Sequence, residues 1–436
     1  MYAAEYKSKL MTPAQAVELI PTCGTLSMGM AVSEPPALLE ALEGRIRAGK
    51  IEELRVYYSH SVVAAAQTIL QYRYMDVIKP HPFFPTMFER ALMRLGEADK
   101  KQVVFYMPGN FSAMPATLAE IGIDTFILQV SPMDKAGFFS CGTNGDYTIP
   151  TARGAKCLIV EVNPRMPRAF GDSAIHISDV TAIVEHESPL QELPGRAPSD
   201  LDRTIGEFIV ELVPDRATLQ VGVGGVPNAV CHDLVNHKDL GIHTELMTPS
   251  VMALIKSGAV TNKYKNVRRH KNVYTLAAGD REFYEFLNDN SSMEVYSVDF
   301  VNDPYIIGLN DRVVSINSFL EVGLDGEVNS EAVGGLQYSA PGGQLDFVRG
   351  AQQSKEGKSI LAAYSTAKDG TLSRIVPKCE GPATDPRADT QYIVTEYGVA
   401  NLRGKSTTQR AEALIAIAHP KFRDQLTQQA KELGYF

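Results

Sequence analysis

The sequence predicts an α/β protein of two tandem domains, each built on a largely parallel open sheet. Three observations support this fold class. Short apolar stretches alternate with segments of helical periodicity along most of the 436 residues. A ten-residue pattern, VEL(I/V)PxxxTL, occurs at residues 17–26 and again at 210–219. Between the two copies, residues 186–200 contain three prolines and three acidic residues with little periodicity, which is typical of a linker.

The repeat extends beyond these ten residues. Gly29 and Gly222 follow the two copies at the same distance, and the sequence PPAL at 35–38 parallels PNAV at 227–230 after a one-residue insertion. Both copies have the pattern helix, proline, strand, glycine turn and helix. We therefore predict a duplication that gives two related domains, 1–190 and 191–436.

Hydrophobic periodicity predicts the individual elements in order. Apolar runs predict strands at 54–58, 103–106, 125–130, 157–160 and 240–243. Apolar residues at helical spacing predict helices at 61–72, 85–95, 201–212 and 410–436, the last broken at Pro420. Because strands and helices alternate, consecutive strands are expected to be parallel, with right-handed crossovers.

Composition excludes several classes of function. The net charge of −9 and the lack of a basic stripe argue against a nucleic-acid partner, and we interpret the basic cluster at 263–271 as solvated surface. No apolar run approaches the ~20 residues of a membrane span, and residues 1–9 lack the apolar core of a signal peptide. We predict a cytoplasmic protein that binds neither nucleic acid nor membrane.

Cysteine and histidine usage predicts no metal site. The five cysteines are an odd number, scattered without CxxC spacing, which suits a reducing compartment. His232, His237 and His243 are close in sequence but match no spacing typical of metal ligands.

One carboxylate stands out in the second half. Glu245 follows the apolar strand at 240–243 and precedes a helical pattern that begins at Pro249, so it is expected at the carboxyl end of a strand. Ligands of open α/β sheets bind at that edge. In the first half Ser59 occupies the corresponding position, so we expect the two halves to differ in role. The ordinary alternative is a solvated loop glutamate, since the chain has 51 acidic residues.

A glycine-rich turn, GVGGVP at 222–227, lies about twenty residues before Glu245. With Glu245 it suggests a dinucleotide fingerprint and hence an oxidoreductase, but Pro227 stands where the third glycine of that motif is needed. Without Cβ atoms, Gly224 and Gly225 allow close backbone approach. The free amides around Val226 are then expected to point at an anion or a developing oxyanion.

A second glycine turn, Pro341-Gly342-Gly343, lies between a polar stretch and an apolar helix start. Two such turns and one carboxylate could hold an acyl group. A carboxylate can act as a covalent nucleophile when it is positioned and desolvated, without a separate base.

Four motifs together resemble the acetyl-CoA hydrolase/transferase family. They are GVGGVPNA at 222–229, GIHTE at 241–245, PGGQLDFVRGA at 341–351 and TEYGVANLRG at 395–404, and the ending AEALIAIAHP at 411–420 also fits. The resemblance covers nearly the whole chain. Within the family, the sequence is most similar to 4-hydroxybutyrate (or butyrate):acetate CoA-transferases. Pro341 is a departure, because glycine is common at that position, and it could reshape the acyl pocket.

The resemblance implies two tandem CoA-transferase domains and a set of site residues. Glu245 is implied as the nucleophile, flanked by Asn302 and Glu396, with like-charge repulsion from Glu396 raising the pKa of one of the two carboxyls. The amides of Val226 and Gly343 are implied as oxyanion donors. The residues implied to bind CoA are Gly222, Val223, Gly224, Gly225, Val226, Gly342, Gly343 and, near the nucleotide, Lys368.

The resemblance also implies the chemistry. Acyl-CoA, CoA and short-chain carboxylates are the expected partners, in a ping-pong exchange through a γ-glutamyl-CoA thioester that needs no metal or separate cofactor. A homodimer or larger homo-oligomer is expected. Two alternatives stay open beside the oxidoreductase: an acyl-CoA hydrolase on the same scaffold, and a CoA-binding module without turnover.

Overall fold

The computed structural model describes residues 2–193 and 195–436. Its α-helices are α1 Ala3–Lys9, α2 Pro13–Ala16, α3 Pro36–Arg47, α4 Val63–Gln67, α5 Met87–Ala98, α6 Met114–Ile121, α7 Thr148–Gly154, α8 Asp200–Val210, α9 Gly225–Asp233, α10 Pro249–Lys256, α11 Arg281–Leu287, α12 Val298–Val301, α13 Pro304–Gly308, α14 Gln344–Gln353, α15 Thr407–Ala416 and α16 Pro420–Glu432. No helix in these ranges combines the length and apolar character needed to cross a lipid bilayer.

The strands are β1 Cys23–Met28, β2 Glu53–Tyr58, β3 Ile78–Pro82, β4 Thr125–Val130, β5 Phe138–Ser140, β6 Cys157–Val162, β7 Phe170–Gly171, β8 Ala174–His176, β9 Ala182–Glu185, β10 Thr218–Val221, β11 Gly241–Met247, β12 Asn272–Ala277, β13 Met293–Val295, β14 Val313–Ser318, β15 Glu321–Gly323, β16 Val328–Asn329, β17 Ala332–Val333, β18 Leu336–Gln337, β19 Lys358–Ala362, β20 Thr366–Ala367, β21 Leu372–Ser373, β22 Ile375–Val376, β23 Tyr392–Thr395 and β24 Gly398–Asn401.

The chain forms two compact units. The first comprises Met1–Leu193 and Tyr274–Phe300, and the second comprises Pro194–Val273 and Val301–Phe436. The predicted domains, 1–190 and 191–436, differ from these units in two ways. The boundary lies three residues later, and a segment from the second half of the sequence belongs to the first unit.

That returning segment is held by backbone hydrogen bonds within the first unit. The amides of Gly145 and Asp146 both donate to the carbonyl of Thr275, at 2.8 and 3.2 Å. Gly171 packs so closely on Val295 that a Cβ at position 171 would overlap its backbone. No local sequence pattern encodes these contacts, because their partners are more than a hundred residues apart.

The first unit contains a parallel sheet of six strands in the order β3-β2-β1-β4-β6-β9. β4 is buried along its whole length, as its continuous apolar run predicts for a strand covered on both faces. β2 and β3 lie on one side of β1, and β4, β6 and β9 lie on the other, so the strand order reverses beside β1.

The second unit repeats this arrangement. Its strands run β24-β23-β19-β14-β10-β11, all parallel except the final hairpin strand β24. Here the order reverses beside β10, the strand that begins with the last two residues of the second copy of the sequence repeat. The prediction of an α/β fold with two tandem, mostly parallel domains is confirmed, and the reversal next to β10 is the place where open α/β sheets bind ligands.

Two predicted elements differ from the structure. Residues 103–106 form no regular strand, although the amides of Phe105 and Met107 donate to the carbonyls of Pro80 and Pro82 in β3. Prolines have no N–H to return, so the ladder cannot be completed. The predicted helix at 61–72 is reduced to α4, Val63–Gln67.

Candidate active site

Glu245 lies on β11 at the carboxyl edge of the second unit's sheet. The parallel register sets Thr218 beside Gly241 and Leu219 beside Ile242, so Val221, the last residue of β10, is level with Thr244. Glu245 is therefore the first residue of β11 beyond the end of its neighbour. Its side chain is half-buried. This is the position that the strand and helix patterns predicted for it.

Asn302 contacts the Glu245 carboxylate directly. Its Nδ2 donates to Glu245 Oε2 at 2.6 Å. Asn302 is fully buried between α12 and α13, and its Oδ1 has no hydrogen-bond partner among residues 2–193 and 195–436. A charge-assisted bond of this length fixes the orientation of the Glu245 carboxylate.

Gly343 lies against the same two groups. It is the N-cap of α14, and a Cβ at this position would overlap both Glu245 Oε2 and Asn302 Nδ2. Gly342 before it has φ 56°, a left-handed conformation that glycine adopts without strain. The N-terminal end of α14, which carries the positive end of the helix dipole, therefore lies close to the Glu245 carboxylate.

The turn at 222–227 follows β10 on the same sheet edge. Gly224, with φ 129°, is the N-cap of α9, and Val226 lies in the first turn of that helix. Gly225 packs on the carboxylate of Asp202, where a Cβ would overlap it. Pro227 lies within this first turn, at the position of the third glycine of a dinucleotide fingerprint. That glycine allows the helix to pack closely on the strand, and a proline does not replace it.

Glu396 is bound by Ser365. The amide and hydroxyl of Ser365 donate to its two carboxylate oxygens, at 2.8 and 2.5 Å. Glu396 follows β23, and the strands β19, β14 and β10 lie between β23 and β11 in the sheet. The effect of Glu396 on the pKa of the Glu245 carboxyl therefore stays a prediction.

Lys368 is exposed in the turn between β20 and β21. Its backbone is left-handed, with φ 48°, and its carbonyl accepts bonds from the amide and hydroxyl of Thr371. Because Lys368 is exposed, its ammonium group is accessible to a charged ligand such as a nucleotide.

The sequence did not predict the buried carboxyl of Asp385, which supports the start of α14. Gln344 Nε2 donates to Asp385 Oδ2 at 2.5 Å, which ties the first residue of α14 to a buried carboxyl. Burial raises the pKa of Asp385 to about 7. Gln344 belongs to the family motif at 341–351, but no sequence motif contains Asp385. His243, dismissed as a metal ligand, is buried two residues before Glu245 on β11.

Comparison with known proteins assigns the family. The N-terminal domain of the acetyl-CoA hydrolase/transferase family matches residues 1–192, and the C-terminal domain of that family matches 279–430. The chain belongs to the acetyl-CoA hydrolase/transferase family, and the prediction of an enzyme of this family is confirmed.

Individual relatives are similar over their full length. The chain is 42% identical over 431 residues to the 4-hydroxybutyrate coenzyme A transferase of Clostridium kluyveri, covering 98% of each. It is 37% identical over 448 residues to the butyryl-CoA:acetate CoA-transferase of Anaerostipes caccae, covering 99% of this chain and 98% of that protein. The crystal structure of RipA from Yersinia pestis matches with a TM-score of 0.95 at 51% identity over 99% of both chains.

Proposed function

We propose that this enzyme transfers CoA between short-chain carboxylates, with 4-hydroxybutyryl-CoA or butyryl-CoA as donor and acetate as acceptor, through a γ-glutamyl-CoA thioester on Glu245. The observation that carries the proposal is the convergence of Asn302 Nδ2 and the Gly343 turn on Glu245 Oε2. The named activities of the full-length relatives support the substrate class.

In the first half-reaction a Glu245 oxygen attacks the thioester carbonyl, and the tetrahedral oxyanion collapses with loss of CoA thiolate. The product is a mixed anhydride between the acyl group and Glu245. The thiolate then attacks the glutamyl carbonyl, which releases the donor carboxylate and leaves CoA on Glu245 as a thioester. No proton is transferred, so no general base is required, and the energy of the thioester is conserved.

The second half-reaction repeats these steps in reverse. The acceptor carboxylate attacks the glutamyl thioester, thiolate leaves, and the thiolate attacks the acceptor's carbonyl in the new anhydride. A new acyl-CoA is formed and Glu245 returns as a carboxylate. Neither a metal nor a separate cofactor takes part in this scheme.

Each predicted residue has a role in the scheme. The amides of Val226 and Gly343 stabilise the oxyanions, and Asn302 orients Glu245. The backbone at 222–226 and Gly342 accommodate the pantetheine of CoA, and Lys368 interacts with its phosphates. Glu396 holds the segment after β23 through its two hydrogen bonds with Ser365.

The test is intact-protein mass spectrometry after mixing with butyryl-CoA or acetyl-CoA in the absence of an acceptor. The wild type should gain a CoA-sized adduct that borohydride removes by reducing the thioester, and Glu245→Ala should gain none. A variant that still turns over, with no adduct on the wild type, would contradict the proposal.

Hydrolysis is a second candidate, because Glu245 is only half-buried and water could reach its thioester. The two activities differ in their need for an acceptor. Release of free CoA at the same rate with and without acetate would identify a hydrolase, whereas acetate-dependent formation of acetyl-CoA identifies a transferase.

A further inference from the structure

We infer that His243 is a positioning residue, which holds the backbone before Asn302 so that the Asn302 amide stays on the Glu245 carboxylate. This inference rests on the proposed function, because its effect is expressed through Glu245. Nothing in the motif comparison assigned a role to this histidine.

The geometry links His243 to each part of the site. Its Nε2–H donates to the carbonyl of Val301 at 2.8 Å, and Val301 immediately precedes Asn302. A carbonyl can only accept, so the hydrogen of the neutral ring must be on Nε2. On β11, His243 and Glu245 are two residues apart and therefore share a face of the strand.

The ring also contacts the helix that presents Gly343. It packs edge-on against Phe347 of α14, with 6.3 Å between ring centroids. The imidazole, which belongs to the strand that carries the nucleophile, thus contacts the segment that carries the amide donor and the helix that carries the glycine turn. His243 is 1% exposed, so both contacts are shielded from water.

Burial and a nearby positive charge keep the His243 ring in its neutral form. Burial, reinforced by the nearby positive charge of Lys265, lowers the pKa of His243 to about 3. Lys265 itself donates to the carbonyls of Ile242 and Lys271. At neutral pH the ring is therefore uncharged, and its single N–H is committed to Val301.

Small shifts in such a site are costly. The 2.6 Å bond from Asn302 to Glu245 depends on the position of the Asn302 backbone. Misplacement of a catalytic group by about 1 Å can reduce a rate by as much as ~100-fold. Loss of the His243 bond should therefore act on kcat more than on substrate affinity.

The experiment compares two substitutions of the histidine. His243→Phe keeps an aromatic ring against Phe347 but removes the donor, and we expect kcat to fall about 10- to 100-fold with KM for acyl-CoA little changed. His243→Gln keeps an N–H at a similar distance from Val301 and should recover most of that loss. Equal kcat for His243→Phe and wild type would refute the inference.

A double-mutant cycle separates positioning from simple packing. In an Asn302→Ala background, His243→Phe should have almost no further effect on kcat, because the amide that it positions is gone. Independent, multiplicative losses would show that His243 acts only through packing and would overturn the inference.

Two controls complete the test. His237 Nε2 also donates to a backbone carbonyl, that of Val213, at 3.0 Å and away from Glu245, so His237→Phe should change thermal stability without changing kcat. The wild-type thioester adduct is measured in the same series. If that adduct forms but His243→Phe transfers CoA normally, the positioning role fails while the proposed function stands; if the wild type forms no adduct, the proposed function fails.

Discussion

The carboxyl edges of the two sheets have the same strand arrangement and different chemistry. In the second unit, Glu245 extends beyond β10 and receives the amide of Asn302. In the first unit, the corresponding position after β2 is Ser59, which is buried and shares a hydrogen bond of 3.1 Å with His60 Nδ1. The duplicated fold supplies the position, and a single side chain decides whether it can react.

The first unit does have buried carboxylates near this edge, but they bind its own backbone and side chains. Glu34 accepts the amides of Val62 and Ala65 at 2.8 and 2.9 Å. Burial raises its pKa well above the ordinary value. Glu89 accepts the hydroxyl of Tyr58 at 2.9 Å. Carboxylates with these internal partners stabilise structure instead of attacking a substrate.

The glycine turns differ in the same way. A Cβ at Gly29 would overlap the backbone carbonyl of Ser33, so the turn after β1 is filled by its own chain. The turn after β10 is open: Gly222 has no such close neighbour, and Val223 is 57% exposed. At Gly222 and Val223 the turn after β10 is therefore the more accessible of the two.

The largest expected effect is at the two strand ends. Glu245→Ala should reduce the rate of CoA transfer by at least about 10⁴-fold, because the covalent route is lost. Ser59→Ala should still form the thioester adduct and keep a rate near that of the wild type. Steady-state transfer assays check both variants, and a similar loss for Ser59→Ala would mean that both edges take part in the reaction.

The glycine turns provide the next contrast. Gly343→Ala introduces a Cβ that overlaps Glu245 and Asn302, so we expect kcat to fall about 10²- to 10³-fold with little change in melting temperature. Gly29→Ala overlaps backbone within a closed turn and should instead cost about 1–3 kcal/mol of stability. Calorimetry and kinetics on both variants test this; a large loss of stability for Gly343→Ala would contradict it.

A substitution of Asn302, the hydrogen-bond partner of Glu245, should have a smaller effect that appears in the pH dependence of the rate. Asn302→Asp replaces a donor with a second carboxylate next to Glu245, and like-charge repulsion raises the pKa at which the pair takes up its first proton. The reaction requires ionised Glu245, so the acid limb of the pH–rate profile should move upward by about one pH unit or more. Asn302→Ala serves as the control and should lower the rate without that displacement.

Two histidines with lowered pKa values, the half-buried His60 and the buried His243, allow the stabilities of the two units to be compared. Burial lowers the pKa of His60, in the first unit, to about 4, and that of His243, in the second unit, to about 3. Below pH 6.5 the unfolded chain binds protons that the folded chain does not, so each histidine makes stability fall as pH decreases from 6.5 to its folded pKa.

Substitution isolates this contribution. His60→Asn and His243→Gln should each reduce the dependence of unfolding free energy on pH, between about pH 4.5 and 6, by roughly 1.2 kcal/mol per pH unit. Buried carboxyls with raised pKa values, such as Asp385, make stability change with pH in the opposite direction. They are present in the wild type and in both variants, so they do not affect the comparison. Denaturant titrations across this range check the result, and an unchanged slope would show that the histidine is protonated in the folded state.

The smallest expected effect is at the exposed Lys368. Lys368→Ala should raise the KM for acyl-CoA roughly two- to fivefold at low salt, and less at high salt, because an exposed ion pair contributes little. Lys156→Ala in the first unit, where the lysine pairs with Asp124, is the matched control and should leave KM unchanged.

Local patterns were sufficient for much of the fold. The apolar runs at β4 and β6, the proline start of α16 and the repeated strand, turn and helix around β1 and β10 are encoded within short windows. The prediction at 103–106 failed because a strand depends on its neighbour, and the neighbour contains prolines at 80 and 82. Periodicity in one segment carries no information about the donors in another.

The sequence by itself determined the duplication, the fold class, the family motifs and the place of Glu245 at the end of a strand, since each is written in contiguous residues. Only the tertiary structure decided that Asn302 and Gly343 meet on the Glu245 carboxylate, that His243 is neutral beneath it, and that Tyr274–Phe300 returns to the first unit. Those properties depend on contacts and burial between residues far apart in the chain, which the sheet order creates and no local pattern contains.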